Sequence, residues 1–77
     1  MNKNLISSKE IVAKFAISYP ALTHYTNIGL LHVVARNGNK RLYSFQEVKI
    51  RIPKIRQLTN GGYPLRLIVK ELNQGRS

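Results

Sequence analysis

The side chains able to do chemistry in this chain are overwhelmingly cationic. Thirteen Lys and Arg stand against three Asp and Glu in 77 residues, a formal net charge of +10 with histidine neutral. Carboxylate-pair catalysis needs two acids converging on one bond. Here Glu10, Glu47 and Glu71 are scattered through the sequence. Cysteine is absent, which removes disulfides, thiolate ligands and thiol nucleophiles. His24 and His32 have no cysteine or neighbouring acid in sequence to complete a metal shell. Gly61-Gly62 lacks the following Lys-Ser/Thr of a phosphate loop and reads as a helix stop. The expectation is a chain that is no enzyme and carries no cofactor or metal.

The positive charge is uneven. Residues 1–35 carry Lys3, Lys9 and Lys14 against Glu10, whereas residues 36–77 carry ten basic residues against Glu47 and Glu71. Such an excess on a small domain is the electrostatic footprint of a polyanion. Nucleic acid, anionic lipid and an acidic partner protein are the candidates, beside a merely solvated basic surface. Lipid requires a basic helix with bulky apolar residues on its other face. The Lys49–Arg56 segment approaches that pattern, but Val48, Ile52 and Ile55 commit it to a core. Single-strand RNA readers want exposed aromatic platforms, and only Tyr19 looks free to serve as one. No apolar run nears the ~18 residues of a membrane span, and no signal-peptide pattern opens the chain. A cytoplasmic protein without membrane contact is therefore expected.

Positioning these cations needs a folded scaffold, and 43% hydrophobic residues suffice for one small core. Ser7-Ser8-Lys9-Glu10 reads as a capping box, with Ile6 and Ile11 spaced as a hydrophobic staple. A first helix is predicted from about Ser8 to Phe15, burying Ile11, Val12 and Phe15. Ala16 and Ile17 make a tight turn, and Ser18 caps a second helix with Pro20 in its first turn. That helix turns Leu22 and Tyr25 inward and stops near Asn27, before Gly29. Leu30 to Ala35 reads as a strand, and Asn37-Gly38 as the turn of a hairpin that returns through Leu42-Tyr43. Ser44-Phe45-Gln46-Glu47 repeats the capping box, and Tyr43 with Val48 repeats the staple. The third helix runs to about Thr59 with a kink expected at Pro53. Leu65 to Leu72 forms the last helix, with Leu65, Ile68 and Leu72 on one face.

Two helices joined by a tight turn, then a basic hairpin, describe a winged helix-turn-helix: mainly α with a small β-hairpin wing. The helix-turn-helix occupies about residues 7–28, the wing about 30–43 and the third and fourth helices about 44–73 of a single domain, 1–77. In this arrangement the second helix enters the major groove of double-stranded DNA, and its first two turns face base edges. Tyr19, Thr23, His24 and Asn27 are its expected exposed positions. Arg36, Lys40 and Arg41 of the wing would meet phosphates or the adjacent minor groove. Tyr25 has two readings, a core aromatic or a phosphate contact. Tyr43 reads first as part of the staple and second as a contact.

The run Leu22-Thr23-His24-Tyr25-Thr26-Asn27-Ile28-Gly29-Leu30-Leu31 resembles the recognition helix and following turn of MerR-type regulators. Lys40-Arg41-Leu42-Tyr43-Ser44 with Glu47-Val48 resembles that family's wing end and third-helix start. The resemblance spans roughly residues 5–72. It implies a winged-helix domain that recognises promoter DNA and regulates transcription, with Arg41 on the DNA backbone and Tyr43 in a structural or contact role. The family's usual Arg-Tyr-Tyr stands here as Thr23-His24-Tyr25, of which only Tyr25 matches. Gly is common in the family where Ala16 stands, and an aromatic where Lys40 stands.

Full-length members dimerise through a long coiled helix and sense ligands in a C-terminal domain, and nothing after Leu72 supplies either. The expectation is an isolated DNA-binding domain or a short relative, monomeric in free solution and without effector sensing. RNA polymerase or a second copy on DNA are the further partners it implies. The alternatives are an excisionase-like architectural protein that bends DNA, and an interaction module docking an acidic partner.

Overall fold

Ser7 opens the first helix while its own backbone closes a strand, and that double use sets the first corner of the fold. The computed structural model describes residues 4–74. Its elements are β1 (Leu5–Ser7), α1 (Ser8–Phe15), α2 (Tyr19–Asn27), β2 (Val33–Asn37), β3 (Lys40–Ser44), α3 (Phe45–Asn60) and α4 (Leu65–Gln74). The strands form one antiparallel sheet in the order β1-β3-β2. This is the winged helix-turn-helix expected from sequence.

Both helix starts form where Ser-x-x-Glu marks them, but they differ in one detail. At α1 the box is complete: Glu10 N–H donates to Ser7 Oγ at 3.3 Å, and Ser7 N–H donates to Glu10 Oε1 at 3.0 Å. At α3 only half of it forms. Glu47 N–H donates to Ser44 Oγ at 3.3 Å, while the Glu47 carboxylate turns to His32 instead. It accepts from the His32 backbone N–H at 3.2 Å and lies 3.1 Å from His32 Nδ1. The chain between α2 and β2 is thereby tied to the first turn of α3.

Three sequence expectations change. The strand β1 was not foreseen; three residues show no alternation, and Ile6 and Ser7 already serve as staple and cap. It pairs Ile6 with Tyr43 and Ser7 with Leu42. The second strand begins at Val33 rather than Leu30. Leu30 and Leu31 are both fully buried, which alternating strand residues beside a one-sided core do not achieve. Gly29 sits at φ +90°, and the N–H groups of Leu30 and Leu31 both donate to the Tyr25 carbonyl, at 2.8 and 3.3 Å. The reversal sends the two leucines into different clusters. Lastly, Asn37 pairs with Lys40, so the hairpin turns at Gly38-Asn39, one residue later than expected. Gly38 takes the positive φ of +65° that a two-residue turn with glycine at its first central position requires.

Two contiguous clusters make the core. Ile6, Ile11, Leu22, Leu31, Tyr43, Val48 and Ile52 pack between sheet, α1, α2 and the start of α3. Leu30, Ile55 and Ile68 form the second, flanked by Leu58, Leu65, Val69 and Leu72. Tyr25 touches both. The third helix runs through Pro53 as one element. Pro53 is exposed while Ile52 and Ile55 on either side are buried, so the missing N–H is spent on the solvent face.

Candidate nucleic-acid interface

The start of α2 is fixed by Ser18, whose hydroxyl accepts from Ala21 N–H at 3.1 Å, and by Pro20 in the first turn. Leu22 faces the core at this helix's buried side, which leaves Tyr19, Thr23, His24 and Asn27 exposed. Those are the four positions expected to be free. The angle between α1 and α2 rests on Ala16, left-handed at φ 54° and ψ 47°. Arg56 of α3 donates to the carbonyls of Phe15 and Ala16 at this turn. The far end of α2 is held by Thr26, whose hydroxyl donates to the Leu22 carbonyl at 2.8 Å and lies 2.8 Å from the Tyr43 hydroxyl. Arg51 donates to the Leu30 carbonyl at 3.0 Å and to Asn73 Oδ1 at 3.1 Å. Asn73 Nδ2 donates to the Gly29 carbonyl at 3.3 Å. Both ends of the helix are thus anchored to α3, β3 and α4.

Beside the start of α2 lies a groove of about 370 Å³. It is lined by Tyr19 and Thr23 from the helix, Asn39, Lys40 and Arg41 from the wing, and Lys9 with Ser7 and Ser8 from the start of α1. Four of the expected site residues, Tyr19, Thr23, Lys40 and Arg41, therefore meet in one place. Lys9 and Asn39 join them without having been foreseen. The signal for Asn39 was the turn register, which also carries it to the wing tip.

The other four sit elsewhere. His24 lies across the helix, in a second groove of about 410 Å³ with Ile28, Leu65, Arg66 and Val69. Arg36 is exposed on β2, directly opposite Arg41. Tyr25 is half-buried between the two clusters. Tyr43 is 0% exposed: its ring is core, in keeping with its first reading as part of the staple, and its hydroxyl lies 2.8 Å from that of Thr26.

The cations around the first groove make no ion pair among the described residues. Among the described residues one ion pair forms, His32 to Glu47, and it lies outside the groove. Lys9, Arg36, Lys40 and Arg41 have no such partner. Glu10, the acid of α1, is folded into its own cap. The Ser7 backbone N–H and then the Ser7 hydroxyl hold its carboxyl below the usual value, and Lys14 and Lys40 add to this. Chemically, the arrangement offers three cations and several neutral donors to an anionic strand. Among the described residues no cluster of potential ligands can hold a metal ion, and no helix is long and apolar enough to cross a membrane.

A family model described as MerR HTH family regulatory protein matches residues 6–75. Comparison with curated proteins gave no match, and comparison with solved structures gave none either.

Proposed function

The chain belongs to the MerR HTH regulatory family, whose role is DNA binding in transcription regulation, and from that premise we propose how this member engages its target. The α2 helix enters the major groove of duplex DNA. Tyr19, Thr23 and His24 face base edges there, and Tyr25 stiffens the helix from behind. Arg36, Lys40 and Arg41 hold phosphates along the wing, with Lys9 closing the strand's path from α1. The carrying observation is the groove that joins Tyr19 and Thr23 to Lys40 and Arg41. A strand lying in it passes from the recognition helix to the wing without leaving positive surface. The domain spans residues 1–77, works in the cytoplasm, and takes a second copy on an adjacent half-site or RNA polymerase as further partners.

The division of labour is testable because phosphate contacts carry no sequence information while base contacts do. In a salt series on duplex DNA, Arg41→Ala lowers the slope by about one unit and weakens operator and random sequence alike. Alanine at Tyr19, Thr23 or His24 costs about 1–3 kcal/mol of discrimination between operator and a shuffled site. A change in discrimination with Arg41→Ala would move that residue to the bases. Unchanged relative affinity in all three helix variants would move recognition to the wing or to DNA shape.

A further inference from the structure

Arg36 and Arg41 face each other across the wing, and the hairpin register decides where they point. Tyr43 is core-facing, and Arg41 lies two residues before it on β3, so Arg41 projects to the same side of the sheet. Its side chain lines the groove with Tyr19 and Thr23 at the start of α2, as that of Lys40 does. Directly opposite residues share a face, so Arg36 leaves the sheet on the same side as Arg41. Lys40, one residue earlier, leaves the strand on the other face, though its side chain reaches the same groove. Because Asn37 and Lys40 close a two-residue turn, the next pair inward is one without mutual hydrogen bonds. In such pairs the side chains stand closest, with Cα atoms about 4.5 Å apart.

Like charges directly opposite in an antiparallel pair destabilise the sheet. Here nothing relieves them: neither arginine makes an ion pair among the described residues, and Glu10 is occupied by Ser7. A group with two or more acceptor oxygens placed between two planar guanidiniums satisfies both, as bidentate Arg–phosphate geometry does. We infer that Arg36 and Arg41 form one seat for a single phosphate group, and that their mutual repulsion strains the wing until an anion fills it. The inference rests on the nucleic-acid reading for the source of that phosphate, a phosphodiester of the duplex, but its physical basis does not. An empty wing is the less stable form, and binding releases the repulsion.

The test is a double-mutant cycle with Arg36→Gln, Arg41→Gln and the double variant, glutamine keeping most of the packed stem. Lys40→Gln is the charge-matched control, since Lys40 pairs across the hairpin with Asn37 rather than with an arginine. In low-salt chloride each arginine variant unfolds on the order of 2–5 °C above the wild type. The double variant gains less than the sum, since the first substitution already removes the repulsion, whereas Arg36→Gln with Lys40→Gln adds in full. Inorganic phosphate at constant ionic strength raises the wild-type midpoint and leaves either arginine variant where it was. On duplex DNA each single loses roughly tenfold in affinity and the double little more.

Singles that unfold at or below the wild type, an additive double, or a phosphate effect that survives in the singles overturns the seat. A wild-type chain that binds duplex through additive, uncoupled arginines also removes the seat and leaves the DNA reading intact. A chain that fails on duplex but shows the coupled midpoints and the phosphate effect keeps the seat and removes that reading.

Discussion

A phenol that belongs to a DNA-binding signature in sequence turns out to hold α2 from inside. Thr26 gives its proton to the Leu22 carbonyl, so at the 2.8 Å contact the Tyr43 hydroxyl is the donor. Tyr43→Phe removes that donor and keeps the ring. The expected loss is about 0.5–1.5 kcal/mol in chemical denaturation, with the salt slope of duplex binding unchanged. A reduced slope at unchanged stability would restore Tyr43 to the contact set. Glu10 gives a second residue-scale outcome. Its folded pKa is depressed by the Ser7 N–H and hydroxyl. A depressed carboxyl contributes stability above its unfolded value, and the contribution is lost as pH falls through the folded value. NMR titration should place Glu10 below the ordinary 4.5, and the α1 amides near Ser7 should shift with the same midpoint. In Glu10→Gln that acid-range transition should vanish from those amides. An unshifted Glu10 midpoint would mean the cap does not hold in solution.

Elements were legible wherever a side chain and the backbone it serves lie within four residues of each other. Ser7, Ser18 and Ser44 mark three helix starts, and each accepts the N–H three residues on. What stayed hidden depends on distant partners. Nothing local announces that Leu5–Ser7 pairs with β3, or that Glu47 leaves its own cap for His32. The Leu30-Leu31 pair looked like a strand because its apolar content is right; only the two-cluster core explains why both are buried. The site divides the same way. Exposed positions on α2 follow from helical spacing, but the meeting of Lys9, Asn39 and Tyr19 depends on how α1, wing and α2 pack. One local cost is built into the fold. Ala16 holds the α1–α2 turn at φ 54°, where a Cβ costs roughly 1–2 kcal/mol. It is exposed, so glycine loses no packing there. After the extra entropy of glycine in the unfolded chain, Ala16→Gly is expected to stabilise by roughly 0.5–1 kcal/mol, a midpoint rise of about 3–6 °C. An unchanged or lower melting midpoint would show that Arg56 at the Phe15 and Ala16 carbonyls already offsets the strain.

The whole molecule carries +10 on a body of 36 × 28 × 18 Å. Its longest dimension is about one turn of duplex, ~34 Å, so on the proposed docking a single copy presents α2 and the β2–β3 wing within one turn. Copies of such a chain repel one another in free solution. The exposed large hydrophobics among the described residues are Leu5, Tyr19, Val34, Ile50, Tyr63 and Leu67, on β1, α2, β2, α3, the α3–α4 turn and α4. The 77-residue chain is therefore expected to sediment as a monomer at micromolar concentration. On DNA the balance changes, since phosphates neutralise the repulsion and a neighbouring site supplies effective concentration. A single module contacting about six phosphates should show a salt slope of about −5. It should bury roughly 600–1,000 Å² of protein surface, too little for tight binding alone. Sedimentation without DNA, then titration onto duplexes carrying one and two half-sites, measures each step. Weak one-site binding that steepens on two sites at proper helical spacing is the expected result. A stable dimer without DNA, or nanomolar binding to one half-site at physiological salt, would mean that a face of this chain pairs with its copy despite the charge.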